Sequence, residues 1–162
     1  MTKHILTAVF SAGGATRRVG RVISDIYETD FYEIIPQEPY TLADLNWLSK
    51  KSRSSVEMND PSARPVIAEN DLDISSYDTV IIGYPIWWGL APRIIETFLE
   101  SHDFSGKRII PFCTSGGSGI GRSDTELHEN ASGDVKWEKG VQINRPNEKT
   151  IRKHLHSLLE QE

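Results

Sequence analysis

A chain of 162 residues with 38% hydrophobic content suits one domain with a single sizeable core and leaves little room for a second. Its formal net charge of -5 and pI near 5.6 argue against a nucleic-acid binder, which needs a basic face, and the short cluster Lys50, Lys51, Arg53 does not reverse that. A lone cysteine, Cys113, excludes an internal disulfide framework and fits a reducing compartment. No run nears the ~20 apolar residues of a membrane span, and the apolar stretch from Ile5 to Phe10 falls short of the roughly 7–15 residues of a signal-peptide core, so a cytoplasmic protein without membrane partners is expected.

In chain order, His4 to Phe10 is short, apolar and β-prone, Ser11 to Thr16 is small and hydroxyl-bearing, and Arg17 onward turns helical, which predicts strand, tight loop, helix. Val19, Val22, Ile23 and Ile26 fall at helical spacing. Phe31 to Ile35 predicts a second strand stopped by Pro36, parallel to the first. From Pro36 to Asp73 the chain is polar and broken by prolines, with a short helix allowed around Leu42, Leu45, Trp47 and Leu48. An excursion of that length is expected to be either a cover over a ligand or a partly mobile surface segment. Tyr77 to Tyr84 reads as a central buried strand, and Pro92 opens a helix with Ile94, Ile95, Phe98 and Leu99 inward. Arg108 to Thr114 is a fourth strand in which Pro111 predicts a bulge or offset. A helix over 124–130, capped by Ser123 or Asp124, the β-type pieces Val135–Trp137 and Val141–Ile143 for a fifth strand, and a last helix ending at Leu159 complete the chain.

Five βα units predict an α/β fold with an open parallel sheet and helices on both faces. Ligands of such sheets bind beyond the carboxyl ends of the strands, and three unusual loops, 11–16, 85–89 and 114–121, each follow a predicted strand. The first offers hydroxyls and unpaired N–H groups at a helix N-terminus, where a phosphate binds. The second offers the flat surfaces of Trp87 and Trp88 beside Gly89. The third offers Thr114, Ser115 and four glycines whose backbone can approach and hydrogen-bond a planar polar ring. A ligand with a phosphate at one end and an aromatic heterocycle at the other satisfies all three, which points to FMN. A Walker A loop would need Gly-Lys-Ser/Thr where Ala15-Thr16-Arg17 stands, and Gly13-Gly14 is not the dinucleotide fingerprint, although Glu33 sits where its acid would be.

The same residues, namely Ser11 to Thr16, Gly83-Tyr-Pro-Ile-Trp-Trp-Gly89 with Pro92, Phe98-Leu-Glu100, and Asp103 to Lys107 leading to Pro111-Phe-Cys-Thr-Ser-Gly-Gly117, resemble the flavodoxin family. The resemblance implies a flavodoxin-like three-layer αβα sandwich with a five-stranded parallel sheet in the order 2-1-3-4-5, noncovalent FMN, and one- or two-electron transfer. By the family pattern Ser11, Ala12, Gly13, Gly14, Ala15 and Thr16 would hold the phosphate, Pro85, Ile86, Trp87, Trp88 and Gly89 would flank the ring, and Thr114, Ser115, Gly116, Gly117, Ser118 and Gly119 would line its pyrimidine side. Members often carry asparagine where Ala15 stands, leaving the backbone and Thr16 to bind. Carrier flavodoxins also crowd acids around the flavin, which lowers its potential, whereas the second and third loops here contain none and the nearest basic residues are Arg93 and Arg122.

Three functions follow as expectations. One is an electron-transfer module docking to redox partner proteins. Another is an FMN-dependent NAD(P)H reductase of small quinones or nitro compounds, with the 36–73 excursion as a pocket wall and Arg64 able to reach a ligand. The third is a non-redox domain that keeps the fold without flavin. The peptide between Trp88 and Gly89, or its neighbour, is expected to reorient on flavin reduction, using the freedom of Gly89. No general acid or base is identified. Cys113 reads as a buried packing residue, Asp71 and Asp73 as solvated turn residues, and His154 and His156 point in different directions, so no metal site is expected.

Overall fold

The computed structural model describes residues 4–68 and 71–159; residues 69 and 70 of the long excursion lie outside the described residues. Strand β1 (Ile5–Val9) is buried along its whole length because it is central, with β2 (Asp30–Glu33) on one side and β3 (Thr79–Pro85) on the other, both parallel to it. Strand β4 (Arg108–Thr114) extends the sheet beyond β3 in unbroken register from Thr79↔Arg108 to Pro85↔Thr114. The order is β2-β1-β3-β4-β5, as expected of the family.

The edge differs from expectation in one instructive respect. It consists of two separate pieces, β5 (Lys136–Trp137) and β6 (Val141–Gln142), both paired with β4. The carbonyls of Lys107, Ile109 and Cys113 accept the N–H groups of Lys136, Glu138 and Ile143, so odd-numbered residues of β4 face this edge. Pro111 belongs to that series and has no N–H to give. The interruption expected in the fourth strand therefore appears in its partner, which leaves the ladder where the donor is missing, while β4 itself stays continuous against β3.

Period-two alternation divides the core between two faces. Val9, Ile81, Ile110 and Phe112 pack with Val19 and Ile23 of α1 (Ala15–Tyr27) and Ile151 and Leu155 of α5 (Glu148–Leu159). Leu6, Ala8, Ile82 and Tyr84 pack on the other face with Ile94, Ile95 and Phe98 of a helix, Arg93–Glu100, that follows the second loop. The helix expected over 124–130 is a short turn, Ser123–Glu126, that tightens into a 3-10 turn over Leu127–Asn130. Neither expected cap forms: the Ser123 hydroxyl pairs with the buried Tyr84 hydroxyl at 2.9 Å, and Asp124 accepts the Gly140 N–H at 2.9 Å. Both side chains thus serve tertiary contacts in place of the helix end.

In the excursion the helix lies at α2 (Arg53–Met58), capped by Ser52, and not around Leu42–Leu48. There Thr41 and Asp44 exchange side-chain bonds with each other's N–H groups, which starts a single turn closed by the Leu45 N–H on the Thr41 carbonyl, and Asn46 then accepts the N–H of Leu48, a local bond that competes with its continuation. The neck of the excursion is closed by a Pro36–Ile67 bridge. Numbering the remaining helices in chain order makes Arg93–Glu100 α3 and Ser123–Glu126 α4.

Candidate functional site

All three loops emerge at the carboxyl ends of β1, β3 and β4, and hydrogen bonds hold them to one another. Phe10 donates to the Gly83 carbonyl at 3.0 Å, and Ile86 to the Thr114 carbonyl at 2.9 Å. Thr16, only 1% exposed, brings its hydroxyl within 2.8 Å of the Thr114 hydroxyl. The first and third loops are therefore joined below the surface.

In the first loop the Ser11 hydroxyl accepts the Gly14 N–H at 2.9 Å, which leaves its own proton to donate. Gly14, at φ 99, turns the chain into α1 through a left-handed conformation open to glycine. The first helical bond is Arg18 N–H to the Gly14 carbonyl, so the N–H groups of Ala15, Thr16 and Arg17 have no carbonyl within the helix to satisfy them. A Cβ built on Gly13 would meet nothing within 4 Å, while Arg17 and Arg18 guanidinium nitrogens stand 3.8 and 3.3 Å from one built on Gly14. Arg17 is also held by Glu33, at 2.9 and 2.6 Å. That bond engages the acid which sequence spacing placed in a ribose-binding position.

The second loop is a two-residue turn: Trp87 and Leu90 exchange both backbone bonds, at 2.9 and 3.0 Å. Trp88 (φ 51) and Gly89 (φ 77) are both left-handed, as a type I′ turn requires. The strained residue is thus Trp88, at about 1–2 kcal/mol for a side chain in that region. Rotating the Trp88–Gly89 peptide would give a type II′ turn, whose first central position calls for glycine. Trp88 occupies that position, so the expected freedom of Gly89 is opposed by its neighbour. In the third loop Ser115 donates its N–H to Asn144 at 2.8 Å, and its hydroxyl accepts from Gly117 and Ser118 at 3.2 and 3.0 Å. Asn144 carries no motif, and sequence reasoning missed it.

A cavity of about 620 Å3 lies between these loops. Ala12 lines it from the first loop, Ile86, Trp87 and Trp88 from the second, and Ser115 to Ser118 from the third; Leu45, Trp47 and Ser54 close it from the excursion. Pro85, Gly89, Thr114 and Gly119 do not line it. Ser11 faces a second, smaller cavity, shared with Ala12, beside Arg17 and Glu33. The excursion thus supplies part of the cavity wall through Leu45, Trp47 and Ser54, while Leu42 and Leu48 stay on its outer surface. The wall residues were missed individually, although an apolar cluster containing Trp47 inside a polar stretch was their signal.

The wall is fastened to the site. Tyr40 packs edge-on against Trp87 with ring centres 5.4 Å apart, and against Phe10 at 5.7 Å. Its hydroxyl donates to Glu57 of α2 at 2.5 Å, and the Arg53 guanidinium, itself bonded to Glu57, covers its ring at 3.8 Å. Burial first, and Glu57 second, push the Tyr40 phenol well above its ordinary range, so it stays a neutral donor. Arg93, 8% exposed, bonds the carbonyls of Glu57 and Met58 at the end of α2 and pairs with Glu96 at 2.9 Å, which removes it from the charges that face the cavity. Tyr40→Phe keeps the ring and loses the bond to Glu57; about 1–2 kcal/mol of stability is expected to go with it, read as a lowered urea midpoint at unchanged slope.

Arg64 does not reach the cavity. It forms a two-pronged pair with Glu100 at 2.9 and 3.1 Å and lies 3.6 Å from Glu96. Cys113 is buried; desolvation, with Asp124 adding to it, pushes its thiol to about 12. Native protein is accordingly expected to resist iodoacetamide at pH 8 and to take up one equivalent once unfolded; labelling of the native state at the unfolded rate would contradict this burial. Among the described residues no group of His, Cys, Asp and Glu could hold a metal, and no helix is long and apolar enough to cross a membrane.

Comparison with known proteins agrees with this geometry. The flavodoxin family profile matches residues 4–159. No curated protein matches the sequence significantly. Among solved structures, a provisionally named flavoprotein of Bacteroides eggerthii DSM 20697 is 49% identical over 99% of this chain and 100% of its own, with a TM-score of 0.91. Another, from Bacteroides uniformis ATCC 8492, is 45% identical over 96% and 99%, also with a TM-score of 0.91. A flavoprotein of Lactobacillus acidophilus NCFM, solved in complex with FMN, shares the fold at 23% identity over 94% and 98%, with a TM-score of 0.68. With its strand order, its three loops at one sheet edge and a family match over nearly its whole length, the chain belongs to the flavodoxin family.

Proposed function

We propose that this protein binds FMN at the joined loop edge and works as an electron-transfer flavoprotein. The observation that carries the reading is the conjunction of an open, glycine-lined helix N-terminus with a large, mainly apolar cavity beside it. The Lactobacillus relative, solved with FMN, supports the choice of cofactor. The residues fit such a group. The N–H groups of Ala15, Thr16 and Arg17 and the Ser11 hydroxyl would receive the phosphate, with the Arg18 guanidinium adding positive charge, since that of Arg17 is balanced by Glu33. Trp87 and Trp88 would flank the ring, and the Ser115–Ser118 backbone would meet its polar edge. When bound, FMN supplies one- and two-electron transfer, while the protein orients it and excludes water.

One observation favours the reductase of small acceptors over a carrier for protein partners. The excursion adds a wall to the cavity through Leu45, Trp47 and Ser54, a surface against which a small molecule can lie beside the ring. The first test is a titration of the purified protein with FMN, followed in the visible spectrum. A shifted and structured flavin band is expected; unperturbed free-flavin absorbance at saturating protein would sink the assignment. Steady NAD(P)H turnover with a small quinone then favours the reductase, and its absence with fast exchange to a protein partner favours the carrier.

A further inference from the structure

On the excursion's side of the loop cavity lies a further one of about 610 Å3, lined by Trp47, Leu48, Lys50, Ser55, Asn59 and Trp88. The two cavities share Trp47 and Trp88. Three observations set this place apart. Trp47, Leu48 and Trp88 remain 69%, 75% and 51% exposed, a concentration of large apolar surface of the kind that marks a binding site. Trp88 holds a left-handed backbone at φ 51, and strain of this kind in a bulky residue collects at ligand sites. Finally, Lys50 is the one charged residue lining the cavity, and among the described residues it makes no ion pair, whereas neighbouring Arg53 is bonded to Glu57.

We infer that this cavity binds a planar aromatic anion, a carboxylate or sulfonate on an aromatic ring, with the ring against the indoles of Trp47 and Trp88 and the anion at Lys50. Flat apolar faces reward a flat ligand and set no sequence of polar contacts. Ser55 contributes little recognition, because its hydroxyl already donates to the Ser49 carbonyl at 2.7 Å. The lysine therefore supplies the discrimination, as a point charge on a flexible stem. Only the significance of the site as a seat for an electron acceptor rests on the proposed flavin reading; binding itself requires no flavin.

The test is calorimetric titration of 4-nitrobenzoate, with nitrobenzene as the neutral control, into flavin-free protein, wild type and two variants. Saturable binding of 4-nitrobenzoate is expected in the wild type. Trp47→Leu is expected to weaken it about tenfold, within the range of loss seen when a stacking aromatic is removed. Lys50→Gln is expected to weaken 4-nitrobenzoate about tenfold and leave nitrobenzene unchanged, since only the anion meets the charge. No saturable binding in the wild type, unchanged affinity in Trp47→Leu, or equal loss of both ligands in Lys50→Gln would each overturn the inference. Both side chains are exposed, so neither variant threatens the fold. FMN is titrated into the same preparations: a protein that takes FMN and rejects 4-nitrobenzoate overturns this site alone, and the reverse result overturns the flavin reading alone.

Discussion

Ala15→Asp is expected to weaken FMN binding at least a hundredfold while making the flavin-free protein slightly more stable. Ala15 is the first residue of α1, exposed, directly after the left-handed Gly14. A carboxylate there complements the helix dipole, a gain of about 0.3–1 kcal/mol. The same carboxylate would face a phosphate carrying up to two negative charges. A pair of unit charges near 4 Å interacts with about 1 kcal/mol in bulk water and about 4 kcal/mol near a protein surface. Doubled for the dianion, the near-surface value of about 8 kcal/mol exceeds the ~2.7 kcal/mol that a hundredfold loss represents, while the bulk-water value of about 2 kcal/mol alone would fall just short of it. Riboflavin, which lacks the phosphate, should bind wild type and variant equally. The measurement is a fluorescence titration of both ligands beside a thermal melt. Equal loss of both ligands would mean that the substitution damages the ring site, and wild-type FMN affinity would mean that the phosphate lies elsewhere.

The largest effect on stability is expected at Gly83. An added Cβ would stand 2.2, 2.3 and 2.9 Å from ring carbons of Phe112, its partner in the β3–β4 register. Phe112 is fully buried among Ile110, Ile151 and Leu155, and a close-packed core gives the ring no space to tilt. Gly83→Ala should therefore cost about 3 kcal/mol, the upper end for overpacking, and lower Tm by roughly 10 °C for a chain of this size. Gly13→Ala is the control: its Cβ meets nothing, and a change within about 0.5 kcal/mol is expected. A double-mutant cycle with Phe112→Leu separates the contact from backbone effects, because the smaller side chain should be less harmful in the Gly83→Ala background than in the wild type. Additive costs in that cycle would show that the ring contact is not the cause.

These two positions differ in how readable they were. The loop around Ala15 could be placed from sequence because its information is local: a short apolar strand, small residues and a helical repeat follow one another without interruption. Strand β3 could be placed from its apolar run alone, yet nothing in that run says that the Gly83 hydrogen faces a phenylalanine of the next strand. Tyr40 and Asn144 were unreadable for the same reason. Neither stands in a motif, and each acts on a partner, Glu57 or Ser115, that only folding brings near.

Pro111 shows the boundary well. Its lack of a donor is a covalent fact, and that fact alone requires a break in the ladder. Which strand would yield depended on the side of β4 that faces the sheet edge, and only the assembled sheet decides that, leaving β4 whole and dividing its neighbour into β5 and β6. The excursion divides in the same way. Its length and its tryptophan were visible as an anomaly, but its helix moved to Arg53–Met58 because Arg93 and Tyr40 supply partners there, whereas Leu42 and Leu48 have no surface to bury against. Covalent pattern and short-range spacing thus determined the alternation of strands and helices, the three loops and their anion-ready helix. The wall of the cavity and the neighbouring seat at Lys50 come from contacts between distant segments, whose energies exist only once the chain has closed on itself.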